Sequence, residues 1–181
     1  MKEAGTVEGD ERLRLFLALE LPDDVTTTLG VWGASHLGRG RPVESFHVTR
    51  AFLGARPRSE LDSVLSALRE STAEAPPFEL EPVRYRETRF VGMLVLRDES
   101  GEAARLALAL QRRLERLGVY RREARPWLPH VTVVRFRERP RLDPPLPPLG
   151  RFAPSGAAAF LSRLHPTGAR YERLESYPFG A

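Results

Sequence analysis

The tripeptide His-Val-Thr occurs twice in this chain, at His47-Val48-Thr49 and at His130-Val131-Thr132, each time within an apolar, β-prone run. Side chains on a strand alternate between its two faces, so residues two apart point the same way. In both copies the histidine and the threonine therefore share a face. A chain that writes the same strand twice is constrained towards two similar halves that meet. Only four histidines occur in 181 residues, so half of them sit in matched settings. An imidazole titrating near neutrality, beside a hydroxyl that can bind a phosphate oxygen, is half of an acid/base site. Two copies predict one symmetric site.

Around these strands the remaining sequence alternates between strand and helix patterns. After a flexible polar leader over residues 1–11, Leu13 to Leu21 reads as a strand, and Asp23 or Asp24 is placed to cap a helix over residues 24–36. The strand of the first tripeptide runs from Val43 to Leu53 and stops at Gly54. Leu61, Leu65 and Leu68 then recur at helical spacing behind Ser59, a candidate cap, until Pro76-Pro77 breaks the pattern. Residues 78–85 and 88–96 read as paired strands. Gly101 precedes a helix whose Leu106, Leu110, Leu114 and Leu117 form one core stripe, ending at Gly118. The second tripeptide lies on a strand from Trp127 to Phe136. A proline-packed stretch, Arg139 to Pro148, reads as an exposed connection, and strands over residues 152–163 and 170–177 close the chain. The pattern predicts an α+β fold in which residues 12–181 form one two-lobed, pseudo-duplicated domain. Mostly antiparallel sheets would line a central cleft, with helices on the outer faces.

Composition narrows the function. The absence of cysteine excludes a disulfide framework, a thiolate metal site and a cysteine nucleophile together. No apolar stretch reaches bilayer-spanning length and the leader lacks the apolar centre of a signal peptide, so a cytoplasmic protein with no membrane partner is expected. Lys2 is the one lysine among 28 basic residues, and the net charge is +4. Arginine is the better planar fork for phosphate, and this balance permits a polyanionic partner. Neither tripeptide brings a carboxylate or a second histidine on its own face, so no metal site is expected. His36 falls at a helix end and His165 precedes Pro166 in a turn, neither with an acid/base partner in reach. No phosphate-cradling glycine loop and no Gly-x-Ser-x-Gly elbow is present.

The contexts Phe46-His47-Val48-Thr49-Arg50-Ala51-Phe52-Leu53-Gly54 and Pro129-His130-Val131-Thr132-Val133-Val134-Arg135, with the opening Arg14-Leu15-Phe16-Leu17-Ala18-Leu19-Glu20-Leu21-Pro22, resemble the 2H phosphoesterase superfamily. They are most similar to its RNA 2′,3′-cyclic phosphodiesterase branch, also called the 2′-5′ RNA ligase family. The resemblance runs from about Arg12 to Phe179 and includes the terminal Ala169-Arg170-Tyr171-Glu172. It implies both histidines facing a central cleft and opening of a terminal 2′,3′-cyclic phosphate to a 2′-phosphate without metal or other cofactor. Such hydrolysis needs a base to activate water and an acid to protonate the departing sugar oxygen on the opposite side of phosphorus.

By the same resemblance His130 is the proton acceptor and His47 the proton donor, although the symmetry of the motif leaves the direction open. Thr49, Thr132 and Arg135 would bind the phosphate. Strict alternation turns Arg135 away from the histidine face unless the strand bulges. Phe16 lies where the family carries an aromatic residue and could stack on the terminal base or belong to the core. Arg50 departs from the family pattern, which has an aliphatic residue there. It must snorkel to solvent, pair with a carboxylate, or be redirected into the cleft as an extra phosphate ligand, and its long stem favours snorkelling. The expected partner is RNA with a 2′,3′-cyclic phosphate end, tRNA fragments among them, bound by a monomer, with 2′-5′ ligation as the reverse reaction. The alternatives are a 2′-5′ oligonucleotide or small cyclic nucleotide phosphate as substrate, or a non-catalytic module that clamps RNA ends.

Overall fold

Alternating leucines organise the first strand. In the computed structural model, which describes residues 10–179, the chain runs through β1 (Arg12–Glu20), α1 (Asp23–His36), β2 (Arg41–Pro42), β3 (His47–Pro57), α2 (Leu61–Ala73), β4 (Glu81–Glu87), β5 (Val91–Arg97), α3 (Glu102–Arg116), β6 (His130–Arg135), β7 (Gly156–His165) and β8 (Gly168–Pro178). Strand β1 buries Leu13, Leu15, Leu17 and Leu19 on one face and Phe16 and Ala18 on the other. A strand covered on both faces belongs inside a sheet. It lies between β3 and β7 in an antiparallel sheet of order β3-β1-β7-β8, while β2-β6-β5-β4 forms a second antiparallel sheet.

The two sheets share one core. Leu15, Leu17 and Leu19 of β1, Val131 and Val133 of β6, and Leu106, Leu110 and Leu114 of α3 belong to a single contiguous cluster. Helices α2 and α3 pack on the first sheet and α1 on the second, so the duplication is uneven. The opposite face of the first sheet carries a smaller cluster, Phe16, Ala18, Ala158 and Phe160, with Tyr171 against it. This is the floor of a cleft, and the α+β arrangement with helices outside is the expected one.

Several boundaries differ from expectation for local reasons. Pro22 occupies the N-cap of α1 and neither Asp23 nor Asp24 caps through its side chain. Both aspartates lie in the first turn, where negative charge suits the helix dipole. Ser59 sits in a single 3₁₀ turn before α2 and its hydroxyl bonds Asp10, while Glu60 holds the cap position. Asp10 and Glu11 are the part of the expected leader that falls among the described residues. Both are tied to that turn, Glu11 by its carbonyl, which accepts from the Arg58 amide at 2.7 Å. Strand β3 does not stop at Gly54 but passes through it, at φ 67, to Pro57. Leu117 lies past the end of α3 and is 45% exposed, so three of the four stripe leucines are core.

The proline-rich stretch has no regular structure, as expected, yet it is anchored. Buried Glu87 accepts from the backbone amides of Arg141 at 3.0 Å and Leu142 at 2.7 Å, and from Tyr85 and Arg139. Trp32 Nε1 donates to the Pro145 carbonyl at 2.9 Å.

Candidate active site

Both tripeptide strands bulge immediately after the threonine. On β3, Thr49 stands opposite Ala18 and Ala51 opposite Leu17, so Arg50 has no cross-strand partner. On β6, Thr132 stands opposite Met93 and Val134 opposite Gly92, which leaves Val133 as the extra residue. One added residue moves the rest of the strand to the other face. Arg135, which strict alternation would have turned into the core, therefore joins His130 and Thr132 in the cleft. Its Nη2 donates to Tyr171 Oη on β8 at 3.2 Å. The matching device on β3 brings Phe52, cross-strand neighbour of Phe16, to the cleft face, where it is 48% exposed.

His47 opens β3 inside an aromatic surround. Its ring centroid is 4.9 Å from Phe16, 5.8 Å from Phe160 and 5.5 Å from Tyr171. Burial is the main cause that lowers its proton affinity, from the ordinary 6.5 to about 4. The Ser45 carbonyl opposes the effect, and the nearby charges of Arg135 and His130 add to it. Although that carbonyl is close, Nδ1 of His47 has no hydrogen-bond partner of good geometry among the described residues. Phe16 is 3% exposed and enclosed by Phe160, Tyr171 and His47, so it supports the imidazole and offers no open face to a base.

His130 is held differently. Its Nδ1 lies 2.8 Å from the Leu128 carbonyl oxygen, which can only accept. The proton of a neutral ring therefore sits on Nδ1, leaving Nε2 with a free lone pair. The approach to β6 is tied to the other motif, since Trp127 Nε1 donates to the Thr49 carbonyl at 2.9 Å. With β6 against β3, and the His130 and Arg135 charges felt at His47, the two tripeptides form one site. Cavities open on either side of it. One of about 350 Å³ is lined by His47, Ser45, Phe160, Tyr171 and Arg173. The other, of about 580 Å³, is lined by His130, Thr49, Phe52, Arg86 and Trp127.

Arg50 does not snorkel. It is 2% exposed, beneath α3, with Nη2 donating to the Leu106 carbonyl at 2.8 Å, and its own carbonyl accepts from Gln111. Among the described residues no carboxylate pairs with it and Nε and Nη1 have no partner, and burial lowers its proton affinity to about 9. Alternation with Val48 already places residue 50 on the helix-facing side of the sheet, and there the Leu106 carbonyl supplies the acceptor that lets the guanidinium stay buried. His36 and His165 lie outside the site, His36 at the end of α1 and His165 in the β7–β8 turn against Thr167. Among the described residues no group of acidic and histidine side chains gathers where a metal ion could be held, and no helix is long and apolar enough to cross a membrane.

Residues 21–166 match the 2′-5′ RNA ligase superfamily. The chain belongs to that superfamily. As a 2H phosphoesterase, it has a relative in the RNA 2′,3′-cyclic phosphodiesterase of Escherichia coli K12, 31% identical over 142 residues that cover 75% of this chain and 78% of the relative. The crystal structure of E. coli LigT in apo form superposes with a TM-score of 0.80 at 25% identity, covering 93% of this chain and 98% of that one. E. coli LigT complexed with 3′-AMP gives 0.81 at 25% identity, with coverage of 94% and 100%. In this 2H phosphoesterase the sequence points to both histidines, but Trp127, Tyr171 and the Leu128 carbonyl go unread. Trp127 and Tyr171 look like ordinary strand aromatics, and a backbone carbonyl leaves no side-chain signal.

Proposed function

We propose that this chain hydrolyses RNA ends bearing a 2′,3′-cyclic phosphate to a 2′-phosphate, with His130 as general base and His47 as general acid. The observation that carries the assignment is the Leu128 carbonyl on His130 Nδ1, which aims a lone pair, not a proton, from Nε2. Nε2 takes a proton from water, the water oxygen attacks phosphorus, the P–O3′ bond breaks on the far side, and His47 protonates O3′. Each proton transfer is worth about 10²–10⁴-fold. The Thr49 and Thr132 hydroxyls donate to the non-bridging oxygens, and Arg135 neutralises the charge that gathers on them.

His47 is neutral in the empty site, so its proton must arrive with the substrate. A phosphate anion about 4 Å away at an effective dielectric near 20 favours the protonated ring by roughly 4 kcal/mol. That offsets a burial penalty of about 3 kcal/mol, obtained from the drop to about 4. The 3′-AMP held by the E. coli relative supports a nucleotide ligand for this cleft. The reading extends to tRNA fragments as physiological ends, to a cytoplasmic monomer and to 2′-5′ ligation as the reverse step. A clamp without turnover needs donors but no oriented lone pair, which argues against the binding-module alternative.

The test is turnover of a short RNA carrying a 2′,3′-cyclic phosphate by wild type, His47→Ala and His130→Ala, with the product read by ³¹P NMR. Expected are a 2′-phosphate and a loss of at least about 10²-fold in each variant. A 3′-phosphate product, or full activity in either variant, would refute the assignment.

A further inference from the structure

The outer half of the β7–β8 hairpin stands clear of the core. Strand β7 is buried as far as Ser162, but every residue from Arg163 to Thr167 is exposed, Leu164 at 75%. The chain turns through Pro166 and Thr167, since His165 pairs with Gly168. A two-stranded ribbon in water is marginal on its own. Tyr171, opposite Ser162, lies where the buried half ends, and its place matters. Its ring meets those of His47 and Phe16 edge-on, with centroids 5.5 Å and 4.9 Å away.

Two arginines of the second sheet reach this hairpin of the first. Arg41 on β2 stands opposite Arg135 on β6, and directly paired residues of neighbouring strands project from the same face. Arg135 Nη2 donates to Tyr171 Oη at 3.2 Å. Arg41 Nη1 donates to the Thr167 carbonyl at the tip. The guanidinium also packs against the turn itself. A methyl group on Gly168, where φ is 127, would lie 2.8 Å from Arg41 Nη1 and 3.0 Å from Cζ and Nη2. Glycine at this position gives the turn its backbone angle and leaves the arginine its seat.

We propose that Arg41 is a positioning residue: its bond to the Thr167 carbonyl straps the β7–β8 hairpin to the second sheet and so seats Tyr171 against His47 and Arg135. This rests on the reading of His47 as the general acid. Arg41 acts through the hairpin and exchanges no proton itself. With the tip released, the Tyr171 ring lifts from His47, water reaches the imidazole, and the burial that lowers its proton affinity is relieved. The acid then no longer stands in one place beside O3′. Displacing a reacting group lowers the rate of the chemical step more than it lowers affinity for the substrate.

The experiment compares wild type, Arg41→Ala, Tyr171→Ala and the double variant. Arg41 is exposed and outside the hydrophobic core, so its removal leaves the fold standing. Two quantities are read: the NMR titration of His47, and kcat and KM on a short RNA ending in a 2′,3′-cyclic phosphate. In Arg41→Ala, kcat should fall about tenfold with KM within about twofold of wild type. In the same variant His47 should titrate above about 4, towards its ordinary 6.5. In the Tyr171→Ala background, Arg41→Ala should change neither quantity further, because the hairpin has nothing left to seat. An unchanged His47 titration in Arg41→Ala overturns the strap. So does an effect of Arg41→Ala that is equal with and without Tyr171, which would mean that the charge of Arg41 acts through space. A rise in KM with kcat unchanged would make Arg41 a substrate ligand and overturn its positioning role. A wild type that does not hydrolyse the RNA overturns the proposed function, and the titration still decides the strap.

Discussion

Lowering the pH should unfold this protein partly through His47. The imidazole holds its proton only below about 4 in the folded chain, against 6.5 for an ordinary histidine. Between those values the unfolded chain binds a proton that the folded chain refuses, so stability is complete above about 6.5 and is lost as the pH falls through 4. A displacement of that size corresponds to about 3 kcal/mol, trimmed to about 2–3 kcal/mol because one edge of the ring meets solvent. The assay is urea unfolding at pH 7 and pH 4, followed by the fluorescence of Trp32 and Trp127. Carboxylates of the unfolded chain also begin to take up protons as the pH approaches 4, so the informative quantity is the difference between wild type and His47→Gln. Wild type should lose about 2–3 kcal/mol more than the variant over that interval. Equal losses within about 0.5 kcal/mol, or an NMR titration that finds His47 near its ordinary value, would refute the account of burial by Phe16, Phe160 and Tyr171.

Two further outcomes follow from groups outside the reacting pair. Arg50→Leu removes a buried guanidinium with two unpartnered nitrogens and should raise stability by about 1–3 kcal/mol in denaturant melts; a loss of stability would show that the Leu106 bond outweighs the unpartnered nitrogens. In Glu87, burial favours the neutral acid but the bonds from Leu142, Tyr85, Arg139 and Arg141 outweigh it, holding the carboxyl below its usual range. Glu87→Ala should therefore cost about 3 kcal/mol and make residues 139–148 susceptible to limited proteolysis, whereas an unchanged digestion pattern would mean that the stretch is held elsewhere.

The tripeptides, their shared face and the class of fold can be read from residue alternation alone, because alternation is a local property of a strand. The bulges cannot. Whether Arg135 returns to the cleft depends on which residues of β5 stand opposite, and whether Arg50 can stay buried depends on the Leu106 carbonyl of α3; both partners lie far away in the chain. The same limit explains Phe16. Alternation puts it on the cleft face, but only the register with Phe160 on β7 and the closeness of Tyr171 on β8 reveal that its ring is enclosed. Ser59 illustrates a competing partner, since a good capping residue was drawn instead to Asp10.

Because both walls of the cleft grow from one hydrophobic cluster, the site is a slot of set width rather than a pair of jaws. Among the described residues one packed cluster joins both halves, so the slot should hold its width when a guest enters. Selection among guests then falls to the shape and chemistry of the walls. The same continuity means that heat should not dissolve one wall before the other, and the catalytic spacing should persist until the whole molecule unfolds at once.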